Sequence, residues 1–84
     1  MSETVYVVFG ETGEYSDRSD WPVKAYLSQQ VAQELVVKAT ARANELFAYH
    51  YRDYKVSGVN EFDQNMRMDY TGTKYYICEV ELER

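Results

Sequence analysis

Cysteine is all but missing from this chain: Cys78 is the one copy among 84 residues. A single thiol closes no intrachain disulfide, so the fold does not depend on one, and a reducing compartment suits it. Histidine is as scarce, with His50 alone. One Cys and one His do not make the four-ligand set of a structural zinc site. Proline occurs once, at Pro22, and glycine four times. There is no Pro- or Gly-rich linker, no internal repeat and no low-complexity stretch, so one domain, 1–84, is expected. No apolar run approaches the length that spans a bilayer. The opening MSETVYVV has neither the basic start nor the long apolar region of a signal peptide, and a cytoplasmic location is expected.

Basic residues are outnumbered, nine Lys and Arg against fourteen Asp and Glu, for a net charge of −5. Nonspecific binding to nucleic acid or to an anionic membrane needs cations that replace counterions. Neither direct nucleic-acid binding nor membrane binding is therefore expected. An acidic surface suits a basic partner, including the nucleic-acid groove of another protein, and it also serves solubility.

What the chain has in excess is tyrosine, nine copies. The side chain joins a large flat area to a polar tip at low rotamer entropy, which suits an interface. A small sheet also uses Tyr as strand filler. A chain this short buries only about 60–65% of its unfolded surface, so its core is thin and an oligomer can add to it.

TVYVVFG, residues 4–10, is β-branched and aromatic and reads as a strand. WPVKAYLS, residues 21–28, reads as a second. Val23, Ala25 and Leu27 would share one face, and Pro22 would sit at a strand start or on an edge. Residues 10–21 would then form a long loop. Ser28 is a credible N-cap. The residues after it place Ala32, Leu35, Val36, Ala39, Ala43, Leu46 and Phe47 on one helical arc. Small alanines fill the middle of that arc, which lets a helix lie close to a sheet. Lys55 and Gly58 look like a helix C-terminus, carrying the helix to about residue 56.

Residues 59–65 read as a polar connection anchored by Phe62. NMRMDY and TKYYICEVEL then read as a hairpin, joined by a three-residue loop at 70–72 with Gly72 left-handed. The even positions Tyr76, Cys78, Val80 and Leu82 would face the core, with Met66 and Met68 beside Tyr76 and Cys78. The expected fold class is α+β: a small two-layer β-β-α-β-β domain, an antiparallel-rich four-stranded sheet with one long helix on one face. The other sheet face, carrying Tyr6, Val8 and Tyr26 or their alternates with Tyr75 and Ile77, would stay uncovered and suggests a partner or a homodimer.

The segment GEYSDRSDW, residues 13–21, is the most unusual stretch. Glu11, Glu14, Asp17 and Asp20 crowd carboxylates that can bind a divalent cation or do acid–base chemistry, but the spacing matches no calcium loop. Ser16, Asp17, Ser19 and Asp20 can equally cap local backbone amides in a plain turn. Between these readings lies recognition. Tyr15 and Trp21 can anchor in a partner's pocket, with Glu14, Asp17, Arg18 and Asp20 as polar contacts. Trp21 can alternatively close the core beneath the loop.

His50 falls near the centre of the apolar helical arc, where a lone His is ordinarily structural. A dyad with Cys78 would require the last strand to pass beneath the helix end; Cys78 alone reads as a small core residue. Phe47, Tyr49, Tyr51 and Tyr54 are rings that can stack on bases, but Arg52 and Lys55 are the only cations near them. There is no phosphate-binding glycine loop. No catalytic residues and no cofactor are assigned.

The run from Val5 to Ala39 resembles small phage- and prophage-encoded proteins of unknown function. These begin with a strand, carry a GEYSD-like segment, and continue through a V-x-A-[FY] strand into a helix. The matching residues are Gly13, Glu14, Tyr15, Ser16 and Asp17, then Val23, Ala25 and Tyr26, then Ala32; RSDWP lengthens the loop between them. The resemblance implies a phage accessory protein in a bacterial host cell. The function it implies is a non-enzymatic inhibitor or adaptor that binds a host defence or nucleic-acid-handling protein. A nucleotide-binding dimer or sponge, with Arg18 or Lys24 on phosphate, and a structural component of a phage particle are the alternatives.

Overall fold

The computed structural model describes residues 2–53, 59–68 and 71–83. Three strands and one helix follow in the order β1 (Ser2–Thr12), β2 (Ser19–Tyr26), α1 (Gln29–Asp53) and β3 (Thr73–Glu83), with a single 3-10 turn at Tyr15–Asp17. The strands form one antiparallel sheet in the spatial order β2-β1-β3. The architecture is α+β, a sheet with one helix packed against it.

The helix forms where its pattern requires. Ser28 caps it, accepting from the Val31 amide at 3.3 Å through Oγ and from the Ala32 amide at 3.1 Å through its carbonyl. Ala32, Ala39 and Ala43 are fully buried, with Leu35 and Leu46 beside them. They pack on Val8 and Tyr75, with Tyr6, Val23, Tyr26 and Ile77 around the margin. The side chains of Tyr49, His50, Tyr51 and Arg52, and residues Tyr54, Lys55 and Gly58 of the expected helix end, lie outside the described residues.

Four expectations are corrected. There are three strands, not four: residues 66–68 form no strand, and Asp69 and Tyr70 lie outside the described residues. The reason is local. Asn60 Oδ1 accepts from the Phe62 amide at 3.0 Å and Asp63 Oδ1 from the Asn65 amide at 3.2 Å. These side-chain turns claim backbone donors that a strand would need. Gly72 does take the left-handed backbone, φ 84°.

The loop between β1 and β2 is shorter than 10–21. Pairing continues to Thr12 opposite Ser19, so Glu11 and Asp20 belong to the ladder. The face assignment in β2 is also different. The register shifts between Val8 and Phe9, where Pro22 pairs with Phe9 and Lys24 with Val8, so Val23 is an extra, bulged residue. Val23 and Tyr26 turn toward the core, while Ala25 and Leu27 are exposed. Pro22 does occupy an edge strand, as a residue without an amide donor must.

The core face of β3 is the odd one. Thr73, Tyr75 and Ile77 pair with Thr12, Gly10 and Val8 on the helix side. Tyr76, Cys78, Val80 and Leu82 point to the opposite face with Phe9, Val7 and Val5. Cys78 is exposed and not a core residue. Tyr6, Val8, Tyr26, Tyr75 and Ile77 thus lie under the helix, and their alternates form the uncovered face.

Candidate functional site

Two arrangements of side chains stand out, one inside the molecule and one on its surface. The inner one is built on Gly10. A Cβ there would come within 2.6 Å of the Trp21 ring, so only glycine lets that ring lie flat across β1. Trp21 is 6% exposed. Its Nε1 donates to Asp63 Oδ2 at 2.8 Å, and the Tyr75 hydroxyl donates to the same oxygen at 2.8 Å. Asn60 Nδ2 donates to the Ala39 carbonyl at 3.1 Å and to the Tyr75 hydroxyl at 3.3 Å. The network joins β2, β3, α1 and the 59–68 segment, and it satisfies each buried polar group it contains. Burial first, then the bond to Asp63, pushes the Tyr75 phenol far above the ordinary tyrosine range. This is a structural polar core. Sequence reasoning missed Asn60 and Asp63, because Asn and Asp in a short connection are ordinarily solvated; their three-residue spacing across a turn was the available signal.

The outer arrangement holds the residues expected to make partner contacts. Gly13 takes φ 92° and receives Thr71 Oγ1 on its amide at 3.0 Å. Glu14 is extended, and Tyr15–Asp17 make one 3-10 turn. Tyr15 has φ 53°, a left-handed backbone that a bulky residue rarely adopts, and it is 95% exposed. Glu14 and Asp17 flank it, both exposed. Arg18 Nη2 donates to Glu11 Oε2 at 2.6 Å. The Tyr76 hydroxyl donates to Asp20 Oδ2 at 3.1 Å. Desolvation and that bond to Asp20 raise the Tyr76 phenol above its usual range. Tyr76 stacks on Phe9 at 5.5 Å between centroids.

Glu11, Asp20 and Tyr76 all lie on the sheet face away from the helix. Arg18 and Asp20 therefore fold onto that face. The loop's Arg18 and Asp20 thus meet a face that runs through Tyr76 and Phe9 to Val80 and Leu82. Val80 and Leu82 are 47% and 42% exposed. Of the six expected contact residues, Glu14, Tyr15, Asp17, Arg18 and Asp20 are exposed. Trp21 is buried, with the Arg67 guanidinium 5.9 Å above its ring.

Among the described residues no group of three His, Cys, Asp or Glu side chains gathers for a metal ion, and no helix is long and apolar enough to cross a membrane. The depression between the loop and Gly72 measures about 100 Å³ and is lined by Glu11, Thr12, Glu14 and Lys74 among others; ligand pockets usually exceed about 300 Å³. Lys24 lines a different depression with Phe62 and Gln64 on the helix side, and Arg18 lines neither of the two. Protein-family models, curated proteins and solved structures all give no match to this chain.

Proposed function

We propose that this protein is a non-enzymatic binding protein, an inhibitor or adaptor whose recognition surface is the Glu14–Asp20 loop together with the open sheet face. One observation carries the reading: a fully exposed Tyr15, held in a strained backbone between two carboxylates, belongs to the loop whose Arg18 and Asp20 bond to side chains of the open sheet face. Strain of this kind costs on the order of 1 kcal/mol and persists where a side chain must be presented. An aromatic anchor beside an apolar field with an acidic rim is the make-up of a protein–protein contact.

The chemistry of the partner follows from that rim. Arg18 is neutralised by Glu11, which leaves Glu14 and Asp17 as the charges around Tyr15. A partner with an aromatic-accepting pocket bordered by Lys or Arg is complementary. The groove of a nucleic-acid-handling protein has that character, and it is the class of bacterial-host partner that the resemblance to phage accessory proteins implies.

The test is capture from bacterial lysate, with wild type and Tyr15→Ala/Asp17→Ala as parallel baits at low and high salt. The expected result is a stoichiometric protein held by wild type, lost from the double variant and weakened at high salt. Equal capture by both baits overturns the site; no protein on either overturns the function.

A further inference from the structure

Tyr15 keeps a left-handed backbone at φ 53° although its side chain is 95% exposed. A ring standing in solvent does little to hold its own backbone, and a strained φ persists only where its surroundings over-determine it. What holds Tyr15 therefore lies outside the residue. Two backbone bonds close the turn itself, from the Asp17 amide to the Glu14 carbonyl at 3.0 Å and from the Arg18 amide to the Tyr15 carbonyl at 3.2 Å. They shape the turn but do not fix where it sits.

Its seat is Gly13. The turn folds straight back on that residue, so closely that a Cβ on Gly13 would run into the Asp17 carbonyl. Gly13 in turn is fixed from a point 58 residues further along the chain: its amide donates to Thr71 Oγ1 at 3.0 Å. The neighbouring Thr12 Oγ1 donates to the Gly72 carbonyl at 2.7 Å. Thr12 is 8% exposed and pairs with Thr73, which is 4% exposed. The other root of the loop is tied to the same side. Thr73 Oγ1 donates to the Arg67 carbonyl, and Arg67 Nη1 donates to Ser19 Oγ at 3.3 Å. The Arg18–Glu11 and Tyr76–Asp20 contacts are exposed, and an exposed ion pair contributes little. The part-buried threonine bonds are the ones placed to set the position of the loop.

We propose that Thr12 and Thr71 are positioning residues, which clasp the root of the loop at Gly13 and thereby hold Tyr15 out in the conformation a partner meets. This inference rests on the recognition reading above. The gain is preorganisation. A loop already ordered in the free protein loses less conformational entropy on binding, so loosening the clasp weakens binding with no change to Glu14, Tyr15 or Asp17.

Thr71→Val keeps the shape of the side chain and removes the acceptor, and Thr71→Ser puts the hydroxyl back. Nitrogen-15 relaxation on the free protein gives backbone order parameters for residues 13–18, and amide exchange reads the Gly13 N–H. Wild type is expected at about 0.85 through the loop, and Thr71→Val below about 0.6. The Gly13 amide is expected to exchange about tenfold faster in Thr71→Val, and Thr71→Ser to restore both readings. Thr12→Val, a β-branched replacement within a strand, is expected to loosen the same residues, and thermal melts check that every variant is folded. The same proteins then serve as baits in bacterial lysate. The protein that wild type retains is expected to be held about tenfold more weakly by Thr71→Val and at wild-type strength by Thr71→Ser. Order parameters and Gly13 exchange that stay at wild-type values in both valine variants overturn the clasp. Capture by Thr71→Val equal to that of wild type overturns its role in binding. A wild-type bait that retains no protein overturns the recognition reading itself, and the relaxation data, which need no partner, still decide the clasp.

Discussion

Trp21 and Tyr75 flank Gly10 from neighbouring strands and donate to the same oxygen, Oδ2 of Asp63, each at 2.8 Å. This shared acceptor ties the 59–68 segment to a sheet that the helix covers only in part. Asp63→Ala leaves an indole N–H and a phenol buried without a partner and removes the turn that Oδ1 supports. The expected loss is about 3 kcal/mol, which lowers the urea midpoint by roughly 2–3 M if the slope is near 1 kcal/mol per molar. Equilibrium unfolding followed by Trp21 fluorescence measures it. A midpoint within a few tenths of a molar of wild type would show that the network is dispensable.

Gly10→Ala is expected to be nearly as damaging, for a steric reason. The added Cβ meets Trp21 ring carbons at 2.6 and 2.7 Å, and the ring is held by Asp63 and cannot turn away freely. Overpacking of this kind costs about 1–3 kcal/mol. Near-ultraviolet circular dichroism should show a loosened indole and thermal melts a lower midpoint.

Stability should fall at alkaline pH in a way that traces to Tyr75. Its phenol is raised in the folded protein, by burial first and by Asp63 second. The unfolded phenol ionises near pH 10 while the folded one stays protonated. The contribution is therefore fully present below about pH 10 and declines above it, by about 1.4 kcal/mol for each pH unit. Urea midpoints between about pH 8.5 and 11 measure the slope, and Tyr75→Phe should flatten it relative to wild type.

Tyr15→Gly should stabilise the fold while weakening partner binding. Gly accepts φ 53° without the steric cost that a tyrosine incurs there. The 95% exposed ring makes little intramolecular contact to lose. A gain of roughly 0.5–1 kcal/mol raises the melting midpoint by several degrees in a domain of this size. Calorimetry reads the first effect and lysate capture the second. A melting point that drops would mean the ring supports the loop and is not held out for a partner.

Much of this architecture was legible in the sequence, and each failure has a cause. The alanine-centred arc of α1, its Ser28 cap, the edge position of Pro22 and the left-handed Gly72 follow from local chemistry. The face of β3 was misread because its most regular apolar alternation, Tyr76 to Leu82, belongs to the uncovered side. On the helix side, Glu79 pairs with Tyr6, and Tyr6 pairs with Tyr26, the last residue of β2. Glu81 and Glu83 therefore lie past the start of the helix and need not be apolar. A core pattern and an exposed recognition pattern are indistinguishable by periodicity alone. The fourth strand was expected from Met66 and Met68, which do pack against the core, yet they reach it from turns that Asn60 and Asp63 impose. At the candidate site, the exposed loop residues were evident from composition. The fate of Trp21 depended on Gly10 and on Asp63, 42 residues further along, and no local pattern encodes that distance.

The most direct test of a recognition surface that joins loop and sheet uses Cys78, which is exposed on the open face beside Tyr76. Its alkylation rate is measured in the free protein and in the complex captured from lysate. If partner binding covers the loop and the sheet face together, the thiol reacts at least tenfold more slowly in the complex. An unchanged rate with the partner fully bound would place that partner elsewhere and contradict the proposed surface.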